Sequence, residues 1–212
     1  MLLNLDFFTY ASSLDLRMGY YHIDLSPRSK QIYTIVLPWG KYEYQKLPMK
    51  VCNSPNIYQE NVSKLFDASD MVRAYIDDVL IITKNNSEEH LKSLDKVLQR
   101  LAEAGLKINA EKYFLGKIET EYLGLWVINN GVRLLSYKVK AIKSINIPTK
   151  VLDVHRFVGL VNYYRDMWCR SAYTLSPLTK IFSTKVKFKW TDVENNAFTA
   201  MKNIVGRYVL LS

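Results

Sequence analysis

Cysteine is almost absent: 212 residues hold two, Cys52 and Cys169. They form no CxxC and stand near no histidine pair, which excludes a disulfide framework and a thiolate metal site and leaves free, buried thiols as the expectation. Glycine (8) and proline (6) are also scarce, and 49% of the chain is hydrophobic, which excludes disorder and predicts a globular protein with a real core. No apolar run is long enough to span a membrane. The N-terminus has no basic region ahead of an apolar one, and Asp6 and Asp15 interrupt it, so it does not read as a signal peptide. Acid is short relative to base, with 20 Asp and Glu against 29 Lys and Arg and a net charge of +9. That balance favours a polyanionic partner, nucleic acid first. The 15 tyrosines and four tryptophans supply flat faces, most of them expected in the core or at its boundary. No internal repeat or low-complexity segment is found, and the sequons at Asn61 and Asn85 mean little in a cytosolic or nuclear protein.

Against this background Tyr75-Ile76-Asp77-Asp78 stands out, set between Met71-Val72-Arg73-Ala74 and Val79-Leu80-Ile81-Ile82. Such flanks predict a strand on each side, with the Asp pair at the tight turn, where aspartate is favoured. One aspartate would serve a turn. Two adjacent carboxylates raise each other's pKa, which points to a divalent cation that neutralises them. Asp15, near the end of the apolar segment Ala11-Ser12-Ser13-Leu14-Asp15-Leu16, offers a third. Three carboxylates from two neighbouring strands could hold two Mg²⁺ ions about 3.5–4 Å apart, the arrangement of in-line phosphoryl transfer. Spacing alone also allows a polar hairpin tip, with Asp15 capping or turning a loop.

Tyr33-Thr34-Ile35-Val36-Leu37 predicts a strand, Pro38-Trp39-Gly40 a turn and Lys41 to Lys46 its hairpin partner. Asn53-Ser54-Pro55 opens a helix that runs to Phe66. Ser87 opens another, with Leu91, Leu94, Leu98 and Leu101 on one face, Gly105 closing it, and Glu88, Glu89, Lys92, Lys96 and Arg100 on the solvated side. Tyr122 to Ile128, Asn129-Asn130-Gly131 and Val132-Arg133-Leu134 predict a further hairpin. From Ser136 the pattern is helical. A helix starting at Pro148-Thr149 presents Val154, Phe157, Val158, Val161 and Tyr164 on one face. Lys138, Lys140, Lys143, Lys150, Arg156, Arg165 and Arg170 make this half basic, as a solvated surface or as a track for a phosphate backbone. The order, β-rich then α-rich, is an α+β layout with a helical second part.

These residues resemble the reverse transcriptase of gypsy-type LTR retrotransposon polyproteins. Leu14-Asp15-Leu16-Arg17-Met18-Gly19-Tyr20-Tyr21-His22-Ile23 is similar to the family's first catalytic motif, and Thr34 through Tyr44 to the segment that follows. Leu47-Pro48-Met49 through Asn53-Ser54-Pro55 resembles the next motif, and Tyr75-Ile76-Asp77-Asp78 the polymerase signature. Tyr122-Leu123-Gly124 resembles the primer-grip hairpin, and Phe157 through Arg165 the thumb. YxDD alone is unspecific; an ordered run of motifs along nearly the whole chain is specific.

The resemblance implies a polymerase palm, an antiparallel sheet with packed helices and a ferredoxin-like core, followed by a helical thumb. It assigns residues 1–134 to the palm, 135–186 to the thumb and 187–212 to the start of a linker toward a ribonuclease H domain. Asp15, Asp77 and Asp78 would be catalytic ligands of two Mg²⁺ ions, with Mn²⁺ as a substitute. One ion would lower the pKa of the primer 3′-hydroxyl and the other would hold the triphosphate and the departing pyrophosphate. Leu16, Tyr20, Met49, Lys50 and Lys112 would meet the nucleotide. Tyr20 would exclude ribonucleotides at C2′, and Met49 would sit under the incoming base. Core packing is the alternative for Tyr20, and a surface lysine for Lys112. Tyr75, Ile76, Leu123 and Gly124 would meet primer and template. The implied partners are an RNA or DNA template–primer, dNTPs, and further copies or neighbouring parts of a polyprotein, with no membrane. The implied setting is a cytoplasmic virus-like particle or the nucleus.

Three departures are visible. The chain begins almost at the first motif, so Met1 reads as the start of a truncated frame, with the fingers largely missing and apolar surface exposed. Lys50 stands where the family has glycine, which lets the backbone approach the nucleotide. A lysine there costs about 1–3 kcal/mol if φ must be positive, and its side chain would occupy nucleotide space. Cys169-Arg170-Ser171 lacks the proline expected after Trp168. The chain ends soon after Phe188-Lys189-Trp190-Thr191 and Ala197-Phe198…Met201-Lys202, so no RNase H, integrase or protease activity is expected of it. Two further readings stand beside the polymerase: an inactive remnant that only binds nucleic acid, and an unrelated two-metal nuclease.

Overall fold

The apolar runs flanking Asp77 form the expected hairpin in the computed structural model of the chain, which describes residues 7–67, 69–129, 131–168, 171–182 and 188–206. The chain divides into two units, one ending at Leu123 and the other opening at Gly124.

The first unit carries, in order, β1 (Tyr10–Arg17), α1 (Pro27–Ile32), β2 (Thr34–Leu37), β3 (Gly40–Glu43), α2 (Ser54–Phe66), β4 (Val72–Tyr75), β5 (Asp78–Thr83), α3 (Ser87–Glu103), β6 (Lys107–Ile108), β7 (Phe114–Lys117) and β8 (Thr120–Tyr122). β1 is the centre of its sheet. It pairs antiparallel with β5 from Tyr10 opposite Thr83 to Asp15 opposite Asp78, and with β6 and β7 on its other side. β4 lies outside β5. Side chains alternate along a strand, so Leu14 and Leu16 share a face with Val79, Ile81, Val72 and Ala74. Tyr58, Val62 and Phe66 of α2 and Leu94, Val97 and Leu101 of α3 close the core against that face. Burial of each large apolar side chain contributes about 1.5–3 kcal/mol, so packing holds these helices in place. Asp15 and Asp78 fall on the opposite face.

α2 begins where Ser54-Pro55 predicts, the proline costing no hydrogen bond at a helix N-terminus. α3 is capped by Asn86, whose Oδ1 accepts from the Glu89 N–H at 3.0 Å. It ends in a Schellman turn, with Gly105 at φ 71 and the Leu106 N–H donating to Leu101 at 2.9 Å. Its buried stripe differs from the leucine stripe of the sequence. His90, Ser93, Leu94, Val97 and Leu101 face inward, while Leu91 is 62% exposed and Leu98 is exposed as well. Both stripes satisfy a helical period, and His90 decides between them. Its Nε2 lies 2.7 Å from Ser12 Oγ and its Nδ1 2.8 Å from Thr83 Oγ1, so the ring ties α3 to β1 and β5.

Burial holds the His90 pKa below its ordinary 6.5. The unfolded chain therefore takes up the proton first, and stability is lost as pH falls through 6.5 toward the lower folded value. Urea midpoints between pH 7.5 and 5 should fall less steeply in a His90→Gln variant than in the parent chain.

The hairpin β2–β3 also forms as predicted, with Leu37 opposite Gly40, and it exposes Ile35, Val36, Trp39 and Tyr42. Cys52 is free but exposed, contrary to the sequence expectation, because it sits in the turn ahead of α2 rather than in the core. Cys169 and Arg170 lie outside the described residues.

The second unit opens with β9 (Leu125–Ile128) and β10 (Gly131–Leu134), a hairpin with Gly131 opposite Ile128. Asn130 in its turn lies outside the described residues. Helices α4 (Ser136–Lys143), α5 (Val151–Tyr163), α6 (Ser171–Lys180) and α7 (Asp192–Gly206) follow. α5 starts at Val151 rather than Pro148, and it buries Val154, Phe157, Val158 and Val161 as its periodicity predicts. Phe157 meets Phe198 of α7 with ring centroids 4.5 Å apart. The α+β order read from the sequence is the order observed. Among the described residues, no helix is long and apolar enough to cross a membrane.

Candidate active site

Asp15 and Asp78 are direct cross-strand partners, a relation that sets Cβ atoms about 4.5–5.5 Å apart on one face of a sheet. The sequence places both members of the Asp pair in the turn. The structure gives the turn to Ile76 and Asp77 and makes Asp78 the first residue of β5. This one-residue difference separates the two carboxylates. Asp78 shares the face of Asp15, whereas Asp77 follows the parity of Val79, toward α2. The Asp77 carbonyl accepts from the Leu16 N–H at 2.6 Å, which extends the β1–β5 pairing into the turn.

Burial raises the Asp77 carboxyl above the ordinary range; Tyr58 lowers it in part, and the Asp15 charge raises it again. Asp78 is raised by burial first, then by Asp15 and Asp77, with Lys112 opposing. Asn109 Nδ2 donates to Asp15 Oδ2 at 3.1 Å, and the Asn109 N–H donates to the Asp15 carbonyl at 2.8 Å. Asp77 Oδ1 is buried without a hydrogen-bond partner, as is the Tyr58 hydroxyl. Among the described residues, no three Asp, Glu, His or Cys side chains converge as a group that could hold a metal. The donors nonetheless fit a hard divalent cation: they are anionic oxygens, and one of them is a buried orphan.

The turn is strained. Ile76 has φ 51, an outlier for a β-branched residue. Gln59 of α2 holds it there: Oε1 accepts from the Ile76 N–H at 2.6 Å and Nε2 donates to the Ala74 carbonyl at 3.0 Å. Neither Gln59 nor Asn109 emerges from sequence reasoning, since a lone amide carries no charge or periodic signal.

Tyr20 lies in the short 3₁₀ turn Gly19–His22, buried, its ring centroid 4.6 Å from that of Tyr58. Its phenol is raised by burial, then by Asp77 and Tyr75. A Cβ on Gly19 would overlap the Tyr58 hydroxyl, so only glycine fits beneath that ring. Leu16, Tyr20 and Lys112 thus gather at the carboxylates by hydrogen bond or by charge, and Tyr75 and Ile76 border them. Met49 and Lys50 are exposed on the segment ahead of α2 and share no hydrogen bond or ion pair with the three aspartates. Lys50 has φ 66, the conformation that favours glycine. Leu123 (φ 50) closes the first unit and Gly124 (φ 69) opens the second. Tyr122 ties β8 to β4, its hydroxyl donating to the Arg73 carbonyl at 3.0 Å.

Residues 5–127 match the family described as reverse transcriptase (RNA-dependent DNA polymerase). The chain belongs to the reverse transcriptase family. Across 97% of its length it is 30% identical to the retrovirus-related Pol polyprotein of the gypsy transposon of Drosophila melanogaster, and across 90% it is 32% identical to the enzymatic polyprotein of soybean chlorotic mottle virus. It spans only 21% and 28% of those two proteins. A foamy viral protease–reverse transcriptase in complex with double-stranded DNA superposes with a TM-score of 0.86 at 25% identity, over 98% of this chain and 37% of that one. The fold is therefore a reverse transcriptase palm followed by a helical thumb.

Proposed function

We propose that this chain works as an RNA-directed DNA polymerase, extending a primer 3′-hydroxyl with dNTPs on an RNA or DNA template. The observation that carries this reading is the pairing of Asp15 with Asp78 across β1 and β5, with Asp77 beside them. Residues 1–134 would serve as palm, 135–186 as thumb and 187–212 as the start of a linker toward a ribonuclease H domain. The net charge of +9 suits a phosphate backbone, and the related foamy viral enzyme is known in complex with double-stranded DNA.

Asp15, Asp77 and Asp78 would hold divalent cations, two Mg²⁺ or in their place Mn²⁺. Bound there, the cations would supply Lewis acidity to the primer hydroxyl and the pyrophosphate. Asn109 orients the Asp15 carboxylate, and Lys112 offsets the accumulated negative charge near Asp78. Tyr20 would bound the sugar, and Leu16, Met49 and Lys50 the rest of the nucleotide. Tyr75, Ile76, Leu123 and Gly124 would meet primer and template. A virus-like particle in the cytoplasm, or the nucleus, is the compartment this reading implies, with polyprotein neighbours or a second copy as protein partners.

Primer extension on a primed RNA template with Mg²⁺ and dNTPs tests the proposal. Template-directed extension supports it, and its absence alongside salt-sensitive template binding leaves the second reading, a remnant that only binds. Lys50 favours that second reading, because its φ of 66 strains the backbone where the nucleotide would pass. Lys50→Gly is expected to raise folding stability by about 1 kcal/mol, read as a higher urea midpoint, by relieving that strain. Extension should rise with it if the lysine side chain obstructs the nucleotide.

A further inference from the structure

The three carboxylates do not converge because two of them are engaged elsewhere. Asp15 is held by Asn109, and Asp77 is turned toward the interior, its Oδ1 buried and unpartnered beside α2. The group that meets it there is the Tyr58 phenol, which is 1% exposed and whose hydroxyl is itself unpartnered. Tyr58 is fixed in place: its ring stacks on Tyr20, its hydroxyl fills the niche that Gly19 leaves by lacking a Cβ, and neighbours from the core surround it. A phenol cannot leave that niche without breaking the core. A carboxylate on a two-residue turn can rotate.

We propose that Tyr58 is a latch for Asp77: in the metal-free protein its hydroxyl donates to the Asp77 carboxylate and keeps it turned into the core, and a divalent cation must break that hydrogen bond to recruit Asp77. This rests on the reading of Asp15, Asp77 and Asp78 as the cation site. Two buried polar atoms side by side, one a donor and one an anionic acceptor, gain more by pairing than either gains alone, because an unmade hydrogen bond in the interior forfeits the full cost of desolvation. The raised pKa of Tyr58, caused by burial and then by the Asp77 charge, keeps the phenol protonated as a donor. Asp77 lies in the turn that Gln59 holds at Ile76, so rotation of its side chain needs no change in the strand pairing. The latch makes cation binding weaker than the carboxylates alone would allow. In exchange, the empty site avoids three facing negative charges. Tyr58 is a positioning residue in this scheme, acting on Asp77 and not on the substrate.

The test is Mn²⁺ binding to the whole chain, followed by calorimetry and by the electron paramagnetic resonance of free Mn²⁺, for the parent, Tyr58→Phe and Asp77→Asn. Phenylalanine keeps the ring, its stacking on Tyr20 and the core volume. The latch predicts that Tyr58→Phe binds Mn²⁺ about tenfold more tightly, ~1.4 kcal/mol, while Asp77→Asn binds far more weakly than the parent. It also predicts that Tyr58→Phe lowers the melting temperature without metal and that saturating Mn²⁺ narrows the gap, as linkage requires. Unchanged or weaker binding by Tyr58→Phe, with binding still lost in Asp77→Asn, overturns the latch and leaves the cation site standing. Parent-like binding by Asp77→Asn overturns the cation site itself, and the latch with it.

Discussion

Asp78→Asn is expected to cut primer extension by at least about 10³-fold, the scale seen when one preorganised group that stabilises transition-state charge is removed, while leaving the chain more stable at neutral pH. The two effects come from one cause. Asp78 faces Asp15 across the β1–β5 ladder, and burial together with the charges of Asp15 and Asp77 raises its pKa. A carboxyl whose folded pKa lies above its unfolded value binds more protons in the native state, so its contribution to stability declines as pH rises through that window. At pH 7 the folded chain therefore carries the whole cost of the ionised group. Asparagine keeps the shape and removes the charge, so the urea midpoint should rise at pH 7. The gain should shrink as pH falls toward the ordinary carboxyl range, where the parent aspartate takes up its proton. Extension assays and urea titrations at pH 7 and pH 4 measure both. A variant that extends primers like the parent would remove Asp78 from the chemistry, whatever its stability.

The trade between activity and stability at Asp78 also explains what the sequence shows and what it hides. The aspartates, the flanking strands, the start of α2 and the buried face of α5 were legible because each rests on a local rule: β-branched runs, proline in the first helical turn, a 3.6-residue period. The α3 face was misread because leucines outvote a histidine in a periodicity count, and only the fold reveals Ser12 and Thr83 waiting for the His90 ring. Register was illegible too. Aspartate is as welcome in a turn as at the first position of a strand, so nothing local separates the roles of Asp77 and Asp78. Pairing with β1 separates them by assigning opposite faces. Gln59 and Asn109 were hidden for a further reason. Each reaches its partner across a long stretch of chain, Asn109 to Asp15 and Gln59 to the Ala74–Ile76 turn, and amide side chains give no sign of where they will point. Lys50 is the converse case. The family glycine implied a positive φ there, and the backbone adopts one despite the lysine.

Gln59→Leu is expected to destabilise the first unit by about 2–3 kcal/mol, because it strips the Ile76 N–H of its partner and leaves a strained residue unsupported. Ile76 holds φ 51 only because the amide of Gln59 clamps the turn at two points, accepting from the Ile76 N–H and donating to the Ala74 carbonyl. Loosening that clamp lets the turn relax toward backbone angles that a β-branched residue prefers, and Asp77, the next residue, moves with it. A displacement of about 1 Å at a catalytic carboxylate costs on the order of 10²-fold in rate, so extension should fall by that factor. Two companion variants separate lost clamping from general damage. Gln59→Glu keeps an acceptor for the Ile76 N–H but loses the donor to Ala74, so it should fall between the parent and Gln59→Leu in both stability and rate. Ile76→Gly, placed in the Gln59→Leu background, should recover much of both, since glycine adopts a positive φ without strain. Recovery by glycine at a site that touches neither metal nor nucleotide through its side chain would locate the effect in the backbone of the turn. Parent-like midpoint and rate in Gln59→Leu would instead mean that the Tyr75–Asp78 turn keeps its shape unaided, with β4–β5 pairing alone placing the aspartates.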